Sequence, residues 1–255
     1  MRGILATLRS AFADIAARPL ALAAKASVMM VNDAVWVVFW LLFFDRVKSM
    51  RGWDADSMML LQAVLVTAGG LTLGLFANAR RIGQLATDGG LDEALSLPVP
   101  TLAYLLVRRV DPVNLGDVAF GLLLFAVLGN PTPRRAAVFV VVVLAACTIL
   151  TGFLVLTGSL SFFIGRNEGG ELAFHAMVLL GSYPVDVFGG WARVVLFTVV
   201  PAAFVAAVPA RLVAGFDTGR AIGLGTAAVV MAAAAILTFR AGLRRYTSGS
   251  AWTTP

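Results

Sequence analysis

The run AAVFVVVVLAACTILTGFLVLTGSLSFFIG, residues 136–165, contains no charged side chain. A helix needs about 20 consecutive apolar residues to cross about 30 Å of hydrocarbon, and this run exceeds that length. Residues 57–79 and 221–239 are also free of charge and are close to that length or longer. The sequence therefore predicts an integral membrane protein with several spans.

The composition of the whole chain indicates the same class of protein. Of the 255 residues, 60% are hydrophobic and 13% are charged, and the mean hydropathy is +0.90. A soluble domain carries about 25% charged residues. Alternating segments of about ten residues, which are typical of transmembrane barrels, do not occur in the sequence. The predicted fold class is therefore an all-α integral membrane protein, with one transmembrane domain over residues 1–255.

We predict six transmembrane helices, preceded by a helix in the membrane interface. The interfacial helix, residues 1–18, has apolar side chains on one face and most of its charges elsewhere. The longest polar segment follows the second span and covers residues 78–112. The predicted spans are residues 26–44, 58–76, 113–128, 136–164, 171–183 and 222–239.

Two topologies fit the chain between the fourth and the last span. In the first, residues 171–183 form span five, and residues 195–212 enter the membrane without crossing it. In the second, residues 171–183 lie on the cytoplasmic surface of the membrane and residues 195–212 form span five. The first topology requires an unusually short span. In both, the two termini share one side, and a modest excess of Lys and Arg predicts that this side is cytoplasmic.

Several classes of function are excluded or disfavoured by residue types. The sequence pI is near 10.4, but the basic residues lie between spans, so the charge does not indicate nucleic-acid binding. His175 is the only histidine, which excludes metal sites built from several histidines. Neither lysine follows a glycine, so the chain has no P-loop. We therefore expect no catalytic residue, metal or cofactor on this chain.

Polar residues inside predicted spans are candidates for a substrate path. Asn32 and Asp33 lie in span one, and Asp117 lies in span three. A carboxylate within hydrocarbon costs a few kcal/mol, so it usually faces a cavity or a partner. One interpretation is a translocation path that attracts cations. The other is a structural pair, in which Asp33 contacts Lys25 or a buried amide.

Gly70 and Gly74 form a G-x-x-x-G motif on the predicted second span. Small residues at this spacing let two helix backbones approach closely. We therefore expect this face of the helix to pack against another span.

The polar segment contains GGLDEALSLP, residues 89–98. The Gly89–Gly90 pair predicts a break, followed by a short helix that ends before Pro98. Acidic residues in the first helical turn suit the helix dipole. Leu91 and Leu95, at positions i and i+4, form an apolar stripe that could bind a partner.

Three stretches together carry a family resemblance. The first is SYPVDVFGGW, residues 182–191, followed by an apolar stretch with Pro201 and Pro209. The second is the tail GLRRYTSGS, residues 242–250, and the third is the 89–98 stretch. In this order they resemble the ABC type-two exporter permeases, and more narrowly the six-span subfamily that pairs with a separate ATPase subunit.

The resemblance implies a permease in the bacterial cytoplasmic membrane that moves an amphiphilic small molecule or drug out of the cell. The acidic residues suggest that this molecule is cationic. The implied partners are an ABC ATPase that binds ATP and Mg²⁺, a second permease chain, identical or paralogous, and membrane lipid, with no nucleic acid. The ATPase would hold residues 78–100 and the N-terminal helix, and spans one, two and five would line the path.

The resemblance also favours the first topology, with residues 184–215 as a re-entrant hairpin at the outer surface. The expected ATPase-coupling residues are Gly90, Leu91, Asp92, Glu93, Leu95 and Pro98. The expected outer-gate residues are Tyr183, Pro184, Trp191, Pro201 and Pro209. One departure from the family pattern is that Leu97, and not an arginine, precedes Pro98.

Two other functions remain as alternatives. A proton-coupled secondary transporter would use Asp33 as its proton site, and its transport would collapse with the proton gradient. A non-transporting membrane scaffold would keep every transport phenotype when Asp33 is replaced by asparagine. Neither alternative accounts for the Tyr183–Pro184 stretch or the tail.

Overall fold

The computed structural model describes residues 19–165 and 169–246. The predicted interfacial helix, residues 1–18, and the end of the tail lie outside the described residues. Within them the chain is helical, and its one pairing of extended backbone is an isolated bridge between Met50 and Trp53. The predicted fold class, an all-α membrane protein, is confirmed.

The helices are numbered here in chain order. A π-helix, Ala203–Ala207, directly precedes α11. The α-helices are α1 (Pro19–Arg46), α2 (Ala55–Leu75), α3 (Ile82–Thr87), α4 (Asp92–Ser96), α5 (Thr101–Val107), α6 (Leu115–Leu128), α7 (Pro133–Ser159), α8 (Ser161–Ile164), α9 (Gly169–Gly181), α10 (Gly190–Thr198), α11 (Val208–Ala214) and α12 (Thr218–Leu243).

Four helical stretches are long and apolar enough to cross a membrane. They lie in α1, in α2, in α7 together with α8, and in α12. Two further stretches are bent by 70°, one formed by α5 with Pro112–Leu128 and one by α10 with Ala203–Ala214. If each bent pair is one span, the described chain has up to six spans. Helix α9 has 13 residues, so it extends only about 20 Å.

Helices α2 and α7 form the centre of the bundle. Of the 18 most apolar consecutive residues in each helix, 78% are buried in α2 and 61% in α7, compared with 17% in α1 and 22% in α12. Helix α2 packs on α6 and α7, while α7 also packs on α9, α11 and α12. Helix α1 joins the bundle mainly through α6. The exposed side chains of α1 and α12 are mostly apolar, which suits contact with lipid.

The G-x-x-x-G motif on α2 packs against the start of α6, as predicted. A Cβ atom at Gly70 would lie 2.8 Å from the Asn114 carbonyl oxygen, and one at Gly74 would lie 2.7 Å from the Leu115 side chain. In contrast, a Cβ atom at the neighbouring Gly69 would meet no atom within 4 Å. The two motif glycines therefore set the separation of α2 and α6.

Long-range contacts define the two ends of the bundle. We call one the Trp53 end, because the Trp53 Nε1 atom donates a hydrogen bond of 2.8 Å to Asp186 there. We call the other the Tyr246 end, because the Tyr246 hydroxyl donates a hydrogen bond of 2.7 Å to Asp92 there.

Residues 169–187 pass from the Tyr246 end to the Trp53 end. At the beginning of α9, Glu171 forms an ion pair of 3.7 Å with Arg80. After α9, the Gln62 side-chain amide donates a hydrogen bond of 3.2 Å to the Ser182 carbonyl. Asp186, further along the chain, accepts the hydrogen bond from Trp53. The segment thus crosses the bundle although α9 is short.

The chain then leaves the Trp53 end and returns to it. Asp186, just before α10, lies 3.1 Å from the Arg193 guanidinium in α10 and 3.6 Å from the Arg211 guanidinium in α11, so both arms of the bent pair meet at Asp186. A segment that crossed the bundle could not make this contact. This geometry favours the first of the two topologies, in which residues 195–212 enter and leave on one side.

Candidate functional site

Asp33 and Asp117, the predicted path residues, lie where α1 packs on α6. At this interface a Cβ atom on Gly116 would lie 3.0 Å from the Ala26 backbone, so the helices are in close contact. Asn32, beside Asp33 on α1, is exposed.

These carboxyl groups have incomplete hydrogen bonding. One buried oxygen of Asp33 and one of Asp117 have no hydrogen-bond partner among the described residues. Among the ion pairs of residues 19–165 and 169–246, none joins Asp33 to Lys25. A buried polar atom without a partner is costly. Within the described residues, neither carboxyl group is therefore part of a completed ion pair.

A second group of polar residues surrounds Asp186 at the Trp53 end. The Asp186 carboxylate accepts the Trp53 hydrogen bond and forms ion pairs of 3.1 Å with Arg193 and 3.6 Å with Arg211. Arg51 donates to the Asp186 carbonyl oxygen at 3.0 Å. The Arg211 guanidinium carbon lies 4.1 Å from the centre of the Trp53 ring, a favourable cation–π distance. This Asp186 cluster joins the loop after α1, the start of the hairpin and α11.

Two of the predicted outer-gate residues lie immediately before the Asp186 cluster. The Tyr183 ring makes edge contacts with Trp36 and Trp40 of α1, at centroid distances of 6.3 and 5.8 Å. Pro184 is buried and precedes a single 3₁₀ turn, Val185–Val187. This stretch therefore connects α9 with α1 as well as with the Trp53 loop.

The other predicted gate residues belong to the hairpin itself. Trp191, at the start of α10, is 84% exposed. Pro201 is buried at the bend after α10, and Pro209 is buried in the first turn of α11. Proline cannot donate to a carbonyl one turn earlier, and the π-helix Ala203–Ala207 accommodates that loss. Pro201 thus lies at the 70° bend of the hairpin, whereas Pro209 lies within its second arm.

At the Tyr246 end, the 89–98 stretch forms the predicted short helix. Gly89 has a φ of +74°, a conformation that favours glycine. Helix α4 follows with two acidic residues in its first turn, and Leu97 is extended before the exposed Pro98. A Cβ atom on Gly90 would lie 2.8 Å from the Leu85 side chain, so this turn is tightly packed.

The predicted apolar stripe of Leu91 and Leu95 is wrong. Leu91 is completely buried, whereas Leu95 is 45% exposed. Leu91 precedes the first residue of α4 and turns into the core, so it does not lie on the exposed face of the helix. Leu97 is 37% exposed. The exposed apolar patch of this segment is therefore Leu95 and Leu97.

Helix α4 is connected to two other helices by charged hydrogen bonds. The Arg108 guanidinium, at the end of α5, lies 2.7 Å from the Glu93 carboxylate, and the Tyr104 hydroxyl donates to the same group at 3.3 Å. The Tyr246 hydroxyl, just after α12, donates to Asp92. A displacement of α4 would therefore act on both α5 and the end of α12.

The Asp186 cluster and the contact of Tyr246 with Asp92 have no signal in the sequence. Asp186 and Trp53 are 133 residues apart, and Tyr246 and Asp92 are 154 residues apart. No local pattern connects them. Within the part of the chain that the structure describes, no group of three or more His, Cys, Asp or Glu residues could hold a metal ion.

Comparison with known proteins gives one match. Residues 30–250 match a family model described as ABC-2 family transporter protein. The matched range includes the Asp33–Asp117 interface, helix α4, the Asp186 cluster and Tyr246. No curated protein and no solved structure gives a significant match.

Proposed function

The chain belongs to the ABC-2 transporter family as a permease subunit, and from this premise we propose that it exports an amphiphilic, preferably cationic small molecule using ATP hydrolysed elsewhere. The family match over residues 30–250 carries this proposal. ATP and Mg²⁺ bind a separate ATPase subunit, since the chain has no P-loop. The complex lies in the bacterial cytoplasmic membrane, with both termini of this chain in the cytoplasm.

The ATPase contacts the permease at the Tyr246 end. Leu95 and Leu97 present an exposed apolar patch there, which suits contact with another protein. Beside this patch, Glu93 and Asp92 connect α4 to α5 and to the end of α12. Movement of the ATPase is thereby transmitted to the membrane helices.

A second permease chain, identical or paralogous, completes the path. Only 17% of the 18 most apolar consecutive residues of helix α1 are buried. Asn32 on this helix is exposed, and a polar side chain in contact with lipid is energetically costly. A partner chain on this face would shield Asn32 and enclose the nearby Asp33 and Asp117. The two carboxylates then attract the cationic part of the substrate.

The Trp53 end faces outward and carries the exit gate. Closure of the ATPases rocks the helices from an inward-open to an outward-open form, as rigid-body movement does in other transporters. The re-entrant hairpin, held by the Asp186 cluster, opens for release. The aromatic side chains Tyr183 and Trp191 suit the membrane interface at this end.

Purification from native membranes tests the proposed complex. We expect that the tagged chain, extracted in mild detergent, retains a soluble P-loop protein in stoichiometric amount, identified by mass spectrometry. A second permease sequence in the same sample would indicate a heterodimer. Repeated recovery of the intact chain without an ATPase would contradict the proposal and would favour a proton-driven transporter.

Asp33 is expected to determine transport of cations. The substitution Asp33→Asn removes the charge at nearly constant volume. A hydrogen bond to a charged group contributes about 1.5–3 kcal/mol, so export of a cationic amphiphile should fall at least about tenfold. The measurement is ATP-dependent transport into inverted membrane vesicles that contain the complex.

The control for this prediction is a neutral amphiphile of similar size, whose export should change little. Asp45→Asn provides a matched variant, because Asp45 is an exposed carboxylate outside the α1–α6 interface. Equal losses for the cationic and the neutral compound would show that Asp33 maintains structure and does not bind substrate.

A further inference from the structure

A cavity of about 520 Å³ opens between α5, α7 and α12, away from the Asp33–Asp117 interface. Its volume lies within the range of about 300–1,000 Å³ that small-molecule sites occupy. Small residues on α7 and α12 leave this space between the helices. The residues that line it include Phe76, Cys147, Gly152, Ala232, Phe239 and Arg240.

The wall that α7 contributes to the cavity is apolar even where hydroxyl groups line it. The Thr148 hydroxyl donates to the Leu144 carbonyl at 2.8 Å, one turn earlier in the same helix. The Thr151 hydroxyl donates to the Thr72 hydroxyl at 3.5 Å. These hydroxyl protons are directed to other protein groups, so the wall favours a hydrocarbon chain over a polar ligand.

Within the part of the chain that the structure describes, Arg240 is the one charged residue that lines the cavity. It is exposed in the last turn of α12, and among the described residues no acidic side chain forms an ion pair with it. Basic residues at the end of a span lie at the level of the lipid headgroups. An apolar cavity with a single cation at its rim matches a ligand that has a hydrocarbon chain and an anionic head.

We propose that this cavity binds an anionic phospholipid of the adjacent leaflet, with an acyl chain between α7 and α12 and its phosphate on Arg240. The lipid fills space that would otherwise be empty and connects α5 with α12. Because α5 and α12 also meet α4 through Glu93–Arg108 and Asp92–Tyr246, the lipid stabilises the same part of the bundle. The proposal concerns a bound lipid and does not depend on which substrate is exported.

Native mass spectrometry of the purified full-length chain tests this site. The chain is stripped of lipid in detergent and then mixed with phosphatidylglycerol, with phosphatidylcholine of the same acyl chains, or with inorganic phosphate. Ala232→Phe fills the cavity, while the matched variant Ala233→Phe places the same ring on a neighbouring exposed residue outside it. Arg240→Gln removes the rim charge, and Arg244→Gln removes an equivalent charge outside the cavity.

We expect the wild type, Ala233→Phe and Arg244→Gln to retain phosphatidylglycerol in preference to phosphatidylcholine. Ala232→Phe should lose the lipid, and Arg240→Gln should bind it about fivefold more weakly, as one basic residue near an anionic headgroup predicts. Equal retention by Ala232→Phe and Ala233→Phe would overturn the proposal. So would equal binding of both lipids, or stabilisation by inorganic phosphate alone as strong as by phosphatidylglycerol.

Discussion

Replacement of Leu95 by aspartate should separate the permease from its ATPase. Leu95 and Leu97 form the exposed apolar patch of the proposed contact, and a charge there would be buried by the ATPase without a partner. Loss of a central apolar contact typically costs about 2 kcal/mol or more, which lowers the affinity at least about thirtyfold. The measurement is the amount of ATPase that copurifies with tagged Leu95→Asp from native membranes.

The matched control is Ser96→Asp. Ser96 is also exposed in α4, so the variant adds the same charge beside the patch without removing an apolar side chain. It should retain most of the ATPase. Because Leu95 is exposed, Leu95→Asp should unfold at the same temperature as the wild type. Full recovery of the ATPase with Leu95→Asp would show that the contact lies elsewhere.

Removal of the Asp186 carboxylate should abolish control of the exit gate. In Asp186→Ala, Arg193 and Arg211 lose their shared anion, and the Trp53 indole loses its acceptor. Loss of these partly buried charged contacts should destabilise the closed hairpin by about 2 kcal/mol, and its population relative to open forms should fall about thirtyfold. Coupled export should then fail, measured as transport per ATP hydrolysed in vesicles.

Two further variants make this prediction specific. Asp186→Asn keeps an oxygen that can accept from Trp53 but removes the charge, so it should have an intermediate effect. Asp45→Ala removes an exposed carboxylate from the last turn of α1 and should have little effect. Normal coupling in Asp186→Ala would mean that the cluster has no part in gating.

Much of the fold follows from local features of the sequence. Uncharged runs predict the long helices, because only a helix satisfies its backbone hydrogen bonds within lipid. The Gly89–Gly90 break and the acidic first turn predict α4. Leu91 shows where this reasoning fails, because its burial depends on the helix beginning one residue later. Spacing alone does not determine the direction of a side chain at a helix boundary.

The topology of residues 169–217 could not be decided from charge, because few basic residues change sides between the two alternatives. The contact that favours one of them joins Asp186 to Arg211. Neither residue has an unusual local context. The two residues meet because the bend near Pro201 brings the chain back to Asp186. Such a contact depends on the tertiary fold and leaves no local signal in the sequence.

The position of Trp53 in the Asp186 cluster should affect the fluorescence of its indole. Its indole is completely buried, with a guanidinium over one face and a carboxylate at its nitrogen. Water would reach the ring if the hairpin moved away, and the fluorescence of an indole depends on the polarity around it. In a variant whose other four tryptophans are replaced, the emission of Trp53 should therefore report whether the cluster is intact during the transport cycle.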